Sequence, residues 1–423
     1  MRQGQPLQVP EINTLAVIGL GYIGLPTAAM FASTGLNTVG VDVSRRAVDA
    51  INKGEAHIEE GNLDELVEHC VRNGLLRAVM EPEAADAFII AVPTPVGHDA
   101  AHTPDVSYIQ SAGRSLAPVL KKGDLIILES TSPVGTTAML ADLLAQERPD
   151  LRFPQHAGEA ADVCLAYCPE RIIPGQMLKE LVENDRIIGG MTTRCAERAA
   201  TLYKRFVRGI CHLTSDRTAE MVKLTENSFR DVNIAFANEL SMICQDHGVD
   251  VWKVIEFANR HPRVSILRPG AGVGGHCIAV DPWFIVASAP ERARLIRTAR
   301  EVNDSKPHYV VGQVDAALAM QPKWSVACLG LTYKPDVDDF RESPSLEIAT
   351  ILSRKYPGRV TCCDPFAQAL PEVEAGQREI RFVDIEHALR DADLIVVLVP
   401  HSAFRAYPMP HGKHVLDPVG FWD

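Results

Sequence analysis

Short apolar runs recur along this chain, each closed by a turn rich in glycine, threonine or proline. In the N-terminal part they are Leu15–Ile18, Thr38–Val41, Phe88–Val92 and Leu125–Leu128. Towards the C-terminus they are Trp324–Leu329, Val360–Cys363 and Leu394–Val399. Runs of this length without alternating polar residues predict strands covered on both faces, as in a parallel sheet flanked by helices. The Ala-rich stretch Pro26–Ser33 fits the first such helix. Between the two blocks the period changes. From Thr218 to His247, Val222, Phe229, Val232, Phe236, Leu240 and Ile243 recur at helical steps, and Gly248 supplies a stop, so one long helix is predicted. Beside this stripe runs a polar ridge of Lys223, Asn227 and Arg230. A solvated face would have the same pattern; a helix joining two domains would turn the ridge inward. The expected class is α/β: two Rossmann-like, doubly wound domains joined by a central helical domain built on the long helix. The boundaries are drawn at residues 1–211, 212–309 and 310–423.

Composition narrows the partners. The 423 residues carry 42 Lys+Arg against 54 Asp+Glu, a formal charge of −12, which argues against nucleic acid and membrane surfaces as ligands. Small anions need only a few local cations and stay open. The first residues lack the basic-then-apolar plan of a secretory leader, and no apolar run is long enough to span a bilayer, so a cytoplasmic protein is expected. The ten cysteines are dispersed with no CxxC pair, which predicts neither a disulfide framework nor a metal site. Most are expected to be small buried hydrophobes.

Two stretches carry chemistry. The first strand runs into Gly19-Leu-Gly21-Tyr22-Ile23-Gly24, and the second ends in Asp42. Strand, glycine turn, helix and acidic residue fall in the order of a dinucleotide site. The glycines let the pyrophosphate approach the helix N-terminus, and the carboxylate accepts the ribose hydroxyls, favouring NAD over NADP. Thr94 and Thr131 close two later strands and are candidates for the nicotinamide end, though loop-starting hydroxyls look the same. The second stretch is Pro269-Gly-Ala-Gly-Val-Gly-Gly275-His276-Cys277-Ile-Ala-Val-Asp281. Helix-compatible sequence follows the thiol, so Cys277 is expected at a helix N-terminus, where the dipole favours the thiolate; Asp281 would lie one turn on. A buried thiol in a glycine-rich loop is the alternative. Beside a dinucleotide site, a reactive cysteine permits an aldehyde to be trapped and oxidised a second time.

GLGYIGLP, VPTP, STSPVGT, CPERIIPG, KLTENSFRDVNIAFANE, PGAGVGGHCIAVDP and GLTYKPDVDDFRESP, in that order over nearly the whole chain, resemble the nucleotide-sugar 6-dehydrogenase family. UDP-glucose members usually read GGSCFPKD around the nucleophile. GGHCIAVD here resembles the N-acetylhexosamine branch, and CPERIIPGQ and NSFRDVNIAFANEL its mannosamine members. The resemblance implies four-electron oxidation of a UDP-sugar at C6 by NAD through a Cys277 thioester, for a bacterial surface polysaccharide. UDP-N-acetyl-D-mannosamine is the expected substrate, with UDP-N-acetylglucosamine or UDP-glucose as alternatives. It also implies that Lys223 and Asn227 stabilise the oxyanion, that Glu170 and Thr131 handle the hydrolytic water, and that Asp281 orients the cluster. Arg171, Ile172, Arg230, His261, Arg263, Gly274, Tyr333 and Lys334 match substrate contacts, with Lys223 and Asn227. Gly19, Gly21, Tyr22, Ile23, Gly24, Asp42, Thr94, Thr131 and Arg341 match cofactor contacts. A homodimer on the long helix is implied as well. A two-electron hydroxyacid dehydrogenase needs neither GGHC nor the third block, and a non-catalytic NAD-binding regulator leaves the cysteine, lysine and asparagine unexplained.

Overall fold

The computed structural model describes residues 11–58, 60–97, 102–172, 175–370 and 372–422. Residues 1–10, on which the leader reading rests, and Ile173–Pro174 of the CPERIIPG block lie outside them. The chain divides into two compact units, Met1–Thr225 and Glu226–Asp423, and the division falls inside the long helix Asp216–Asp246.

The first unit holds an eight-stranded sheet. Its strands are β1 (Thr14–Ile18), β2 (Asn37–Val41), β3 (Leu76–Val79), β4 (Ala87–Ile90), β5 (Leu125–Leu128), β6 (Cys164–Tyr167), β7 (Arg186–Gly190) and β8 (Cys211–Ser215). Their order is β3-β2-β1-β4-β5-β6-β7-β8, and all pairings are parallel except β6 with β7. The order reverses at β1, which is the switch point of a doubly wound sheet, where ligands meet the carboxyl ends of the strands. Strand alternation explains why the apolar runs are continuous. Leu15, Val17, Ile89, Ile127 and Ala166 enter one core, while Ala16, Ile18, Phe88, Ile90 and Leu128 enter the core on the opposite face.

The second unit repeats this plan on a smaller scale. Strands β9 (Val326–Leu329), β10 (Val360–Cys363), β11 (Leu394–Val397) and β12 (His414–Leu416) pair in the order β10-β9-β11-β12, all parallel. Val326, Cys328 and Val396 face one core, and Ala327, Leu329 and Val397 the other. Two long helices, Asp216–Asp246 and Arg294–Met320, supply the central part of the chain. The long helix starts two residues before the expected Thr218, and Gly248 follows it at φ +64°, the left-handed stop expected of that glycine. Among the described residues no helix is long and apolar enough to cross a membrane.

Candidate active site

In the first unit the nucleotide cradle forms at the end of β1. Gly19 stands at φ +90°, and a Cβ there would lie 2.6 Å from the Ala91 carbonyl oxygen, so only glycine fits the turn. Gly21 faces open space, which leaves its backbone free to meet a pyrophosphate. Tyr22 and Ile23 are half-buried, and the helix Gly24–Ser33 begins without a side-chain cap, leaving first-turn amides for an anion. Asp42 closes β2. Its Oδ2 accepts the Leu20 amide and its Oδ1 the Ser44 amide, each at 2.8 Å, which fixes the carboxylate with a lone pair left on each oxygen. These residues fit NAD.

At the ends of β4 and β5, Thr94 Oγ1 donates to the Thr131 carbonyl at 2.5 Å, so the two predicted threonines meet. The loop after Thr131 is anchored by Glu220 of the long helix, which accepts the amides of Gly135 (2.6 Å) and Thr137 (2.8 Å). Past β6, Lys223 Nζ donates to the Glu170 main-chain carbonyl at 2.8 Å, and both residues are buried. Glu170 Oε1 accepts the Arg171 amide at 2.8 Å. The Arg171 guanidinium reaches the Asp185 carbonyl at 3.0 Å, and Ile172 packs on the core.

The second unit assembles the thiol end. Asn227 Nδ2 donates to Asp281 Oδ2 at 2.5 Å, with both groups buried. The structure corrects the expected setting of Cys277. The regular helix is Asp281–Ser288, and Cys277 lies in the turn ahead of it, so it is Asp281 and not the thiol that opens the helix. Pro282 in the first helical turn favours that later start. The one-turn spacing still holds, because the Asp281 amide donates to the Cys277 carbonyl at 2.8 Å. Cys277 is the exposed cysteine; eight of the others are buried and Cys211 is half-buried. Gly274 and Gly275 pass under Tyr333, and a Cβ on Gly275 would lie 2.8 Å from the ring.

Next to the thiol, His276 Nε2 stands 3.4 Å from Asp339 Oδ2, and the Arg341 guanidinium grips the same carboxylate at 2.7 and 2.9 Å. Burial raises the Asp339 pKa, but the bonds from Arg341 and His276 outweigh it and hold the carboxyl well below its usual range. Lys334 is half-buried and its carbonyl accepts Thr332 Oγ1 at 2.9 Å. Arg230, His261 and Arg263 are exposed.

The long helix inverts the simplest reading of its pattern. The polar ridge residues Lys223 and Asn227 are buried, while Phe229, Phe236 and Ile243 of the apolar stripe are 68%, 55% and 48% exposed. Sequence reasoning passed over Glu129, Arg186 and Tyr203, which form a buried charged cluster around Glu170. A lone arginine opening the apolar strand RIIGG was the available signal.

Three models of the UDP-glucose/GDP-mannose dehydrogenase family match: its NAD binding domain over residues 13–207, its central domain over 217–305 and its UDP binding domain over 327–423. A UDP-N-acetyl-D-mannosamine dehydrogenase of Salmonella typhi is 56% identical over 97% of this chain and 100% of its own. An NDP-N-acetyl-D-galactosaminuronic acid dehydrogenase of Ralstonia nicotianae is 55% identical over 97% of both chains. The solved structure of the UDP-D-ManNAc dehydrogenase of Pyrococcus horikoshii superposes with a TM-score of 0.86 at 37% identity, covering 97% of this chain and 100% of that one.

Proposed function

Because this chain belongs to the UDP-glucose/GDP-mannose dehydrogenase family, we propose that it oxidises the C6 hydroxyl of UDP-N-acetyl-D-mannosamine to the uronate, for a bacterial surface polysaccharide. It is an NAD-dependent enzyme of nucleotide-sugar oxidation, and the family's UDP-binding domain supplies the nucleotide end. Near-equal identity to relatives named for two N-acetylhexosamines makes the sugar the point to test.

The observation that carries the reading is Cys277: an exposed thiol in a glycine-rich turn, one turn before a buried Asp281–Asn227 pair. NAD, when bound, takes up two electrons from C6 in each of two successive steps. Between them Cys277 Sγ adds to the C6 aldehyde as a thiohemiacetal, and after the second it holds the sugar as a thioester. Water then adds to the acyl carbon, the C–S bond breaks, and the uronate leaves with the thiol restored. The alkoxide of the thiohemiacetal and the tetrahedral adduct of water with the thioester both place negative charge on the C6 oxygen. A buried ammonium and an amide N–H suit that charge, and Lys223 and Asn227, one turn apart on one helix, supply them. Glu170 and Thr131 handle the hydrolytic water, and Asp281 fixes the Asn227 amide.

Arg171, Ile172, Arg230, His261, Arg263, Gly274, Tyr333 and Lys334 are assigned to the UDP-sugar. Arg341 is assigned to NAD beside Tyr22, Ile23, Asp42, Thr94 and Thr131. We assign NAD binding to residues 1–211, the catalytic helical part to 212–309 and UDP binding to 310–423. The exposed Phe229–Phe236–Ile243 stripe supports a homodimer on the long helix, and we assign the enzyme to the cytoplasm. The decisive assay follows NADH at 340 nm with UDP-N-acetyl-D-mannosamine, UDP-N-acetylglucosamine, UDP-N-acetylgalactosamine and UDP-glucose. Two NADH per mannosamine nucleotide are expected, with Cys277→Ser abolishing acid formation. Faster turnover of another sugar overturns the substrate, and one NADH with an active Cys277→Ala overturns the thioester.

A further inference from the structure

Three charged residues meet at the carboxyl end of the first unit's sheet. Glu129 is the residue after β5, Glu170 lies just past β6, and Arg186 opens β7. Because β7 runs antiparallel to β6, its start overhangs the end of β6, bringing Arg186 to Glu170. The Arg186 side chain is 2% exposed, and its Nη1 lies 2.6 Å from Glu170 Oε2 and 3.8 Å from Glu129 Oε1. Its guanidinium stacks 5.0 Å over the Tyr203 ring. Glu129 is locked from the other side, its Oε1 accepting the Tyr203 hydroxyl (3.0 Å) and its Oε2 the Thr27 hydroxyl (3.1 Å).

One buried guanidinium does not neutralise two buried carboxylates. Burial, and then the Glu170 charge, push the Glu129 carboxyl up to about 7, against the pull of Arg186 and the hydroxyls of Tyr203 and Thr27. The remaining titratable neighbours stay neutral: burial raises the Cys168 thiol to about 12 and pushes the Tyr203 phenol well above its ordinary value. Below pH 7 the Arg186 charge therefore serves mainly Glu170. Burial opposes the guanidinium charge, but the Glu170 carboxylate beside it outweighs that cost and keeps Arg186 more firmly protonated than usual. Glu170 is thus held at three points: its carbonyl by a hydrogen bond from Lys223, Oε1 by one from the Arg171 amide, and Oε2 by its ion pair with Arg186.

We propose that Arg186, braced by Glu129 and Tyr203, is the positioning residue that aims the Glu170 carboxylate at the water of thioester hydrolysis. This rests on the reading of Glu170 given above. Arg186 touches neither substrate nor cofactor in this role; it fixes the orientation of the group that does, and a misplacement near 1 Å costs about 100-fold in such geometry.

The test is intact-mass spectrometry of quenched enzyme during turnover of UDP-N-acetyl-D-mannosamine, with NADH followed in parallel. Arg186→Lys keeps the charge but loses the reach and the flat guanidinium that stacks on Tyr203. It is expected to release two NADH per active site at the wild-type rate, then slow 10- to 100-fold in steady state with acylated Cys277 accumulating, kcat and KM falling together and kcat/KM little changed. Glu170→Gln is the control and should accumulate the same adduct. Adduct in Glu170→Gln but none in Arg186→Lys overturns the positioning role alone. No adduct in either overturns the reading of Glu170 itself. Should Arg186→Lys fail to fold, Glu129→Gln decides. Ionised Glu129 competes for Arg186, so wild-type kcat should fall on the alkaline side of pH 7. That fall should be absent in Glu129→Gln, and an unchanged alkaline limb overturns the proposal.

Discussion

The Asn227 amide donates to Asp281 Oδ2 at 2.5 Å, joining the long helix to the helix that follows the Cys277 turn. The bond fixes which end of the Asn227 amide faces away from Asp281, and it satisfies a carboxylate that is only 2% exposed. Asp281→Ala leaves the amide unpartnered and without its orientation. We expect kcat to fall by about 100-fold or more, as for loss of one oxyanion donor. A stability loss of about 1–3 kcal/mol from the orphaned amide should accompany it, measured by urea unfolding. Asp281→Asn, which keeps an acceptor oxygen, should recover most of the stability and little of the rate.

Gly275 stands at φ +85° with the Tyr333 ring over it. Alanine there meets both a disfavoured backbone conformation and the ring at 2.8 Å. Gly275→Ala is expected to shift the Cys277 turn and cut labelling of Cys277 by iodoacetamide at least tenfold, alongside a loss of about 1–2 kcal/mol of stability. Adding Tyr333→Ala should return part of the stability, because only the ring clash is relieved. Equal losses in the single and double variants would show that the backbone conformation alone is responsible.

The Phe229, Phe236 and Ile243 side chains recur every seven residues and so form one ridge along the long helix, exposed in a single chain. Burial of such a ridge against a second copy contributes about 1.5–3 kcal/mol per large side chain. Phe229→Glu with Phe236→Glu should therefore convert a dimer to a monomer in light scattering at micromolar concentration. A wild-type mass of one chain under those conditions would remove the ridge from the interface.

The strands read from the sequence are runs buried on at least one face and mostly on both, since a continuous apolar run bounded by turn residues has few other uses. Strand β6, Cys164–Tyr167, is just as buried but, at four residues with a cysteine and a tyrosine, was passed over, as was β7. Strand β8, Cys211–Ser215, was not legible, because its polar, largely exposed residues carry no such run. The Gly19–Gly24 cradle and Asp42 were legible because one contiguous stretch makes the turn. Arg186 and Glu129 were not, as they lie 57 residues apart and only the antiparallel β7 brings them together. The period of the long helix was readable, yet which stripe is buried was not: charged Lys223 is buried because Glu170, far away in sequence, offers a carbonyl. Cys277 was misplaced by one turn for a local reason, since Pro282 moves the helix start to Asp281.

Lys306 gives the second unit a pH signature. It sits in the helix Arg294–Met320, 3% exposed, with Nζ donating to Ser241 Oγ at 2.6 Å and lying 5.1 Å from the Tyr309 ring centroid. Burial lowers its pKa from the usual 10.5 to about 8. Between those two values the unfolded chain binds a proton that the folded chain does not, so stability rises as pH increases through that window. Below pH 8 both states are charged and the folded one carries the full cost of burying the ammonium, about 3 kcal/mol. Lys306→Met keeps the chain length without the charge. It should unfold at a higher temperature than wild type at pH 7, and the gap should close as pH approaches 10. Calorimetry at pH 7, 8.5 and 10 checks this; a gap that is constant or widens with pH would show that the Lys306 ammonium is not the source.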